Sequence, residues 1–455
     1  MNKFLEIPDN PVTVLLRPSV SRWKLYKWYS IFGSHEPSLG LLYLASYIES
    51  NGFKVKILDG EILKNRELIT ALIYIKPEII GITTTTFSFF NAVKLTIELR
   101  SLFPDCVIIF GGSHITALPE DTMKRINNID GVVVGDGEET ILEIIKKYNT
   151  EQIDGLVWRA NSDSKIITNK KRELNANLDK YKLNWGLLDG FPQNYSPPYQ
   201  SGSKKSASLV ISRGCFYDCS FCSSNLIMGK TIRFHSPEYV VDLMSKLEYD
   251  YQIKDFYFHD DYLPVYSHWI IDFCNILLKK KQKFTWACVS RVELLSGKIL
   301  EMMKRSGCRQ IGIGVESASQ KILDKISKRT SVQILREGIK RISTVKINIK
   351  GFFILDVPGE SFKDILKTIR FILSSKFSEI QINYYVPLPG SRDYLKYNPD
   401  THVWPKMSLQ HCLGYSKINS KIYPFIEITI YLISYTKIVF IRILYKIRTL
   451  IKDQT

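Results

Sequence analysis

Two consecutive series of short apolar runs, each run followed by a stretch with helical spacing, constrain this chain more than any other feature. Strands that alternate with helices are joined by crossovers, and crossovers give parallel sheets covered by helices. In residues 1–150 the runs are "VTVLLRPS", "KVKILDG", "EIIGITTTT", "CVIIFGGSH" and "GVVVGDGEET", with helical patterns at "SLGLLYLASYIESNGF", 64–76, 89–101 and 119–126. They predict an α/β fold that begins with a doubly wound parallel sheet. Residues 205–395 repeat the alternation with "ASLVISR", "DFYFHDD", "TWACVSR", "QIGIGVES", "NIKGFFILDVPG" and "EIQINYYVPLPG", and with helices at 236–250, 267–282, 296–307 and 361–376. Six such units predict a partial (β/α)6 barrel. Residues 151–204 read as a polar linker with a hairpin around "NSDS", and 396–455 as a C-terminal tail.

Ligands of parallel sheets bind beyond the carboxyl ends of the strands. In the first series those ends carry Thr83 to Thr86, Gly111–Gly112–Ser113–His114 and Gly135–Asp136–Gly137–Glu138. Glycines let a ligand approach the backbone, and helix N-termini offer free N–H groups. Neither a GxGxxG fingerprint nor a GxxxxGK[ST] phosphate loop is present. In the second series Asp260, Asp261, Arg291, Glu316, Pro358–Gly359 and Pro389–Gly390 follow strands. For the charged residues a salt bridge or helix cap at a strand end is the bland alternative.

Three of the eight cysteines, Cys215, Cys219 and Cys222, fall within "SRGCFYDCSFCSS", straight after the first strand of the second series. The N-terminal "MNKFLEIPDNPVTVLLRPS" has no continuous apolar core and no small-residue cleavage site, so a reducing, cytoplasmic setting is expected. There a tight cluster reads as metal-binding before it reads as disulfides. Cys106, Cys274, Cys288, Cys308 and Cys412 are scattered and read as buried thiols. A CxxxCxxC loop can wrap one face of an iron–sulfur cube and leave one iron open, and an open position is a mark of catalysis. Zinc is the competing reading and would need a fourth ligand from Cys288, Cys308 or His235. The net charge of +17 is spread along the chain with no nucleic-acid signature, so no nucleic-acid partner is expected.

The triplet and its surroundings resemble the radical S-adenosylmethionine superfamily, in the subgroup with a cobalamin-binding domain. "SRGCFYDCSFCSS", "FYFHDDY", "GIGVESASQKIL" and "DVPGESFKD" carry the resemblance in that order, preceded by "PSLGLLYLASYIESNGFKVKILD", "GGSHITALPE" and "VVGDGEETI". The resemblance implies that Cys215, Cys219 and Cys222 bind three irons of a [4Fe–4S] cluster. The fourth iron would take the amino and carboxylate groups of S-adenosylmethionine, whose cleavage yields a 5′-deoxyadenosyl radical. It places Phe221 beside adenine, Asp260 or Asp261 at the methionine amino group, Glu316 at the ribose and Arg291 at the methionine carboxylate. In the N-terminal, cobalamin-binding-type domain, Thr84, Thr85, Gly111, Gly112, His114, Gly135, Gly137 and Glu138 would cradle the corrin and its nucleotide tail. The DxHxxG motif is absent, since "LDGEIL" has no histidine, and only His35 and His114 lie near the domain's loops. A histidine replacing the lower base is therefore not expected, and a degenerate domain without cobalamin is the competing reading.

The implied function is methylation of an unactivated carbon by a cobalamin-dependent radical enzyme. Radical ring closure or rearrangement is the alternative. A non-catalytic cobalamin or redox sensor would not need the triplet together with strand-end carboxylates, and the methylthiotransferases bring further cysteines to a domain that here has only Cys106. Expected partners are a small-molecule or lipid-like substrate and an external electron donor of flavodoxin or ferredoxin type. In 423–452, Glu427, Ser434, Lys437, Arg442, Lys446, Arg448 and Lys452 share one half of a helical wheel, and most apolar residues share the other. That pattern reads as an interfacial helix giving peripheral membrane contact, or as an element packed on the barrel.

Overall fold

The computed structural model describes residues 3–21, 35–160, 165–195, 205–263, 267–280 and 283–397. The hairpin turn expected around 161–164, the stretch 196–204, Cys412 and the amphipathic helix expected over 423–452 lie outside the described residues. Within them the chain forms two compact units: residues through Asp261 together with 387–397, and Tyr262–Val386.

The first unit is built on a seven-stranded sheet. Strands β1 (Thr13–Arg17), β2 (Val55–Asp59), β3 (Ile79–Thr83), β4 (Val107–Gly111) and β5 (Gly131–Val133) run parallel in the order β2-β1-β3-β4-β5. Parallel strands are covered on both faces, which is why β4 reads VIIFG with its first four residues buried. Helices α1 (Leu39–Ser50), α2 (Asn65–Ile75), α3 (Phe89–Leu102), α4 (Ser113–Ala117), α5 (Pro119–Arg125) and α6 (Glu138–Ile145) fill the crossovers. The short α4 falls where the sequence reads as a glycine-rich tip. Strands β6 (Leu156–Ala160) and β7 (Lys165–Thr168) pair antiparallel, as the hairpin reading requires, and extend this sheet beyond β5.

The same unit holds β8 (Ser206–Leu209) and β11 (Asp255–Phe258), paired in parallel, and a short antiparallel ribbon of β9 (Ser212–Arg213) and β10 (Arg233–Phe234). Helix α7 (Ser224–Ile227) follows the cysteine loop, and α8 (Pro237–Tyr251) precedes β11. Ser236 caps α8 by accepting from Tyr239 N–H at 3.1 Å, with Pro237 at the first helical position.

The second unit runs α9 (Ser267–Lys279), β12 (Thr285–Ser290), α10 (Gly297–Arg305), β13 (Cys308–Glu316), α11 (Gln320–Lys325), α12 (Val332–Thr344), β14 (Asn348–Leu355), α13 (Phe362–Ser374) and β15 (Glu379–Tyr384). Its four strands are parallel neighbours in chain order. Ser296, Ser331 and Ser361 cap α10, α12 and α13, and Ser361 forms a capping box with Asp364. Residues of the last helix, α14 (Arg392–Tyr397), return to the first unit.

Gly112 follows β4 with φ +99°, and a Cβ there would stand 2.4 Å from the Thr84 carbonyl oxygen. Gly112→Ala is expected to lower the melting temperature at a cost of about 2–3 kcal/mol. Gly297→Ala, where an added Cβ meets nothing within 4 Å, is expected to be neutral or to stabilise by less than about 1 kcal/mol. Thermal melts of the two variants beside the wild type check both signs.

Candidate active site

The chain enters the cysteine loop through Gly214, whose φ is +112° and whose added Cβ would lie 2.3 Å from the Thr231 carbonyl oxygen. Only glycine allows that entry. Cys215 N–H donates to Gly229 O (3.0 Å) and Cys222 N–H to Cys219 O (3.1 Å), which curls the loop on itself. Its three cysteines are half-buried, whereas Cys106, Cys274, Cys288 and Cys308 are buried. Burial pushes the Cys215 thiol up to about 11, and the charges of Asp261, Cys222 and Cys219 add to the rise. Thiols that repel one another's ionised forms are a donor set made for a cationic group, which deprotonates its ligands. Among the described residues no three His, Cys, Asp or Glu side chains converge as for a single metal ion. Thiolates that each bind a different iron of a cube need not converge on one point. His235, a candidate fourth zinc ligand, has Nδ1 at 2.9 Å from Asp179 Oδ1 and Nε2 at 2.9 Å from Tyr43 Oη, so both nitrogens are already engaged.

The loop is held on both sides of its second cysteine. Ser220 Oγ donates to Asp393 Oδ2 (2.8 Å) and Asp393 N–H to Ser220 O (2.9 Å), while Arg392 Nη2 donates to Asp218 O (2.7 Å). Phe221, next to Ser220, is half-buried.

The structure separates the two aspartates that the sequence left as alternatives. Asp260 is buried, and its Oδ1 accepts from Ile211 N–H (2.9 Å), Ser212 N–H (2.6 Å) and Ser212 Oγ (3.0 Å). Burial raises its pKa to about 7 against those hydrogen bonds. It ties the end of β11 to the approach to the cysteine loop. Asp261 faces a cleft and accepts from Ser224 Oγ at 2.7 Å; Ser224 N–H in turn donates to Cys222 Sγ at 3.5 Å.

That cleft opens at the carboxyl ends of β3, β4 and β5. Gly111, Gly112, Gly135, Gly137 and Glu138 line it together with Ser212, Arg213 and Asp261, and Leu15, Ile82, Phe110 and Ile141 make its depth apolar. An added Cβ at Gly135 meets nothing within 4 Å, so the backbone itself borders open space. A broad cleft with apolar depth and a rim of backbone amides suits a corrin, which is a flat apolar ring edged with amides.

Three residues expected at this cleft do not line it. Thr84 is buried and its Oγ1 donates to Gly111 O (3.0 Å); the exposed Thr85 accepts nothing from the cleft but donates its N–H to Ser88 Oγ (2.9 Å). His114 sits on α4, buried against Phe89 with ring centroids 4.1 Å apart and Nδ1 at 3.1 Å from Thr86 Oγ1. Burial pushes its pKa down to about 4. Helical placement turns His114 inward, which a loop reading could not anticipate.

In the second unit, Arg291 is buried and Nη2 donates to the carbonyl oxygens of Lys328 (2.7 Å) and Arg329 (3.4 Å) and to Glu293 Oε1 (3.2 Å), the scaffold alternative. Glu316 closes β13 with φ +61° and accepts from Lys328 Nζ at 2.7 Å.

The cleft also holds Asp136 of the tip after β5 and three residues not singled out from sequence: Tyr43, Arg213 and His259. The last bonds to Glu36 and directly follows β11, beside the strand-end aspartates. Among the described residues no helix is long and apolar enough to cross a membrane.

Residues 209–372 match the Radical SAM superfamily and residues 31–145 the B12 binding domain. The chain is 31% identical over 398 residues to an uncharacterized methyltransferase of Pyrococcus horikoshii, spanning 84% of this chain and 85% of that one. It is 25% identical over 372 residues to the anaerobic magnesium-protoporphyrin IX monomethyl ester cyclase of Rubrivivax gelatinosus, spanning 78% of this chain and 65% of the cyclase. The radical S-adenosylmethionine methyltransferase TsrM from Kitasatospora setae, solved with cobalamin and a [4Fe–4S] cluster bound, superposes with a TM-score of 0.69 at 15% identity, over 84% of this chain and 77% of TsrM. That likeness carries the fold, a doubly wound parallel sheet followed by a partial (β/α)6 barrel, as the alternation of runs predicts. With both domains matched in order and a relative this similar along most of its length, the chain belongs to the radical S-adenosylmethionine enzymes that carry a cobalamin-binding domain, with a [4Fe–4S] cluster, S-adenosylmethionine and cobalamin as its cofactors.

Proposed function

We propose that this enzyme methylates an unactivated carbon of a small-molecule substrate. One observation carries the reading: a single cleft is lined both by the glycine tips of the first sheet and by Ser212, Arg213 and Asp261, which flank the cysteine loop. When bound, the cluster supplies the electron that cleaves S-adenosylmethionine, and the cobalt of the corrin carries the methyl group. The chain's own residues hold and orient these groups. Cys215, Cys219 and Cys222 would bind three irons, and Phe221 would lie along adenine. Asp261 would accept from the methionine amino group, a charge-assisted bond suited to a half-exposed carboxylate. Asp260 stays in the scaffold behind it. Gly111, Gly112, Gly135, Gly137 and Glu138 would border the corrin, with Thr84, Thr85 and His114 supporting the tips from behind. Glu316 would take the ribose hydroxyls, and Arg291 shapes the loop at 328–329 rather than meeting the methionine carboxylate.

Similarity to the Rubrivivax cyclase favours radical ring closure as the second reading. In either case the electron would come from an external flavodoxin- or ferredoxin-type donor, and the setting would be cytoplasmic. The basic half of 423–452 would add attraction to an anionic membrane surface, worth about 1 kcal/mol per Lys or Arg at the surface, and access to a lipid-like substrate.

Anaerobically reconstituted wild type is expected to hold one [4Fe–4S] cluster, retain hydroxocobalamin and release 5′-deoxyadenosine on reduction with S-adenosylmethionine. The triple replacement of Cys215, Cys219 and Cys222 by alanine should abolish cluster and product while leaving cobalamin retention. Iron content, absorbance and chromatography read all three; full iron in the triple variant would sink the assignment of the ligands.

The two aspartates should separate experimentally. Asp261→Asn is expected to weaken S-adenosylmethionine binding by about 10–100-fold with the cluster retained, the loss of one charged hydrogen bond, read by equilibrium dialysis. Asp260 holds its proton more tightly folded, at about 7, than at its ordinary 3.8. Its contribution to stability is therefore full below about 4 and is lost as pH rises through about 7. Asp260→Asn removes that loss, so the stability of the variant relative to wild type should rise across this window in denaturant titrations at successive pH values.

A further inference from the structure

The first unit buries a group of charges where the tip after β5 meets the cysteine loop. Arg213 is 8% exposed and stands two residues before Cys215. Its Nη2 donates to Glu138 Oε1 at 2.6 Å, and its Nη1 lies 3.4 Å from Asp136 Oδ1. The guanidinium carbon is 4.8 Å from the centre of the Tyr43 ring and 5.7 Å from that of Tyr181. Burial opposes the charge, but Glu138 and Asp136 more than offset it and raise the pKa of the guanidinium. Arg233, opposite Arg213 on the β9–β10 ribbon, makes a second ion pair with Asp136 and donates to Met228 O at 3.0 Å.

Asp136 and Glu138 form the tip after β5 that borders the cleft, whereas Arg213 opens the cysteine loop, 75 residues beyond Glu138. A buried ion pair is poor evidence for stability, because apolar packing of the same volume often serves as well. What a planar fork between two carboxylates adds is geometry: it holds its partners at one distance and one angle. We infer that Arg213, Asp136 and Glu138 are positioning residues that lock the tip at 135–138 to the cysteine loop, so that the corrin and the cluster are held at one spacing. The inference rests on the functional reading above.

The test uses full-length protein reconstituted with cluster and hydroxocobalamin, as wild type, Arg213→Met, Glu138→Gln and the double variant. Pulsed electron paramagnetic resonance of the cobalt(II) corrin and the reduced cluster reads their separation. Wild type is expected to give a narrow distance distribution. Arg213→Met leaves the buried Glu138 without its ion-pair partner and Glu138→Gln leaves Arg213 with Asp136 alone, so each should broaden the distribution and weaken cobalamin retention by about tenfold. The double variant leaves neither, so it should fold and retain cobalamin better than the singles while its distribution stays broad. Variants that hold both cofactors with the wild-type distribution overturn the lock alone. A wild type that holds no cobalamin or no cluster overturns the functional reading, and the lock with it.

Discussion

A parallel strand delivers its carboxyl end, and the loop that follows, to one edge of its sheet. Every part of the candidate site depends on that constraint. Gly111 ends β4 and Gly135 follows β5, the cysteine loop follows β8 and β9, and Asp260 and Asp261 follow β11. Residues far apart in the chain reach one cleft because the crossovers return each strand in the same direction. The glycines are the places where this gathering would otherwise fail. At Gly112 and Gly214 a side chain would press on a carbonyl oxygen at 2.4 Å and 2.3 Å, so the loops close only with hydrogen in place of Cβ.

Burial then sorts the ionisable groups by whether they have a partner of opposite charge. Asp260 rises to about 7 and Glu360 to about 8, while His114 falls to about 4, each chiefly through loss of water. Such groups give up their charge rather than their burial. Arg213 does the reverse and keeps its charge, because Asp136 and Glu138 stand beside it. Among the described residues of the first unit, charge is thus retained in the interior where the cleft and the cysteine loop meet.

The alternation of apolar runs made the strands legible, and the helical spacing between them made most helix boundaries legible. The glycine tips and the cysteine triplet were equally plain, since their chemistry is local. What stayed hidden depends on partners distant in the chain. Asp260 and Asp261 are adjacent and alike in sequence; only the N–H groups of Ile211 and Ser212, 49 and 48 residues away, make one of them scaffold. Arg291 looked like a ligand for a carboxylate until carbonyl oxygens 37 and 38 residues on took up its guanidinium. Arg213 stood in plain view within "SRGC", but its meaning comes from Glu138 at the start of α6, 75 residues earlier.

The second unit keeps two acids under conformational strain. Glu316 ends β13 with φ +61° and Asp356 follows β14 with φ +67°, a region where glycine would be at ease. Each such residue costs about 1–3 kcal/mol and persists only where its surroundings over-determine it. For Glu316 the surroundings include Gly314, whose added Cβ would stand 2.6 Å from the Glu316 carboxylate, and Lys328, which donates to that carboxylate at 2.7 Å. For Asp356 they include Glu360, which accepts the Asp356 N–H at 2.8 Å. A glycine would relieve the backbone at either position and delete a carboxylate from a strand end. Each strand end therefore holds its carboxylate at a backbone cost that glycine would not incur.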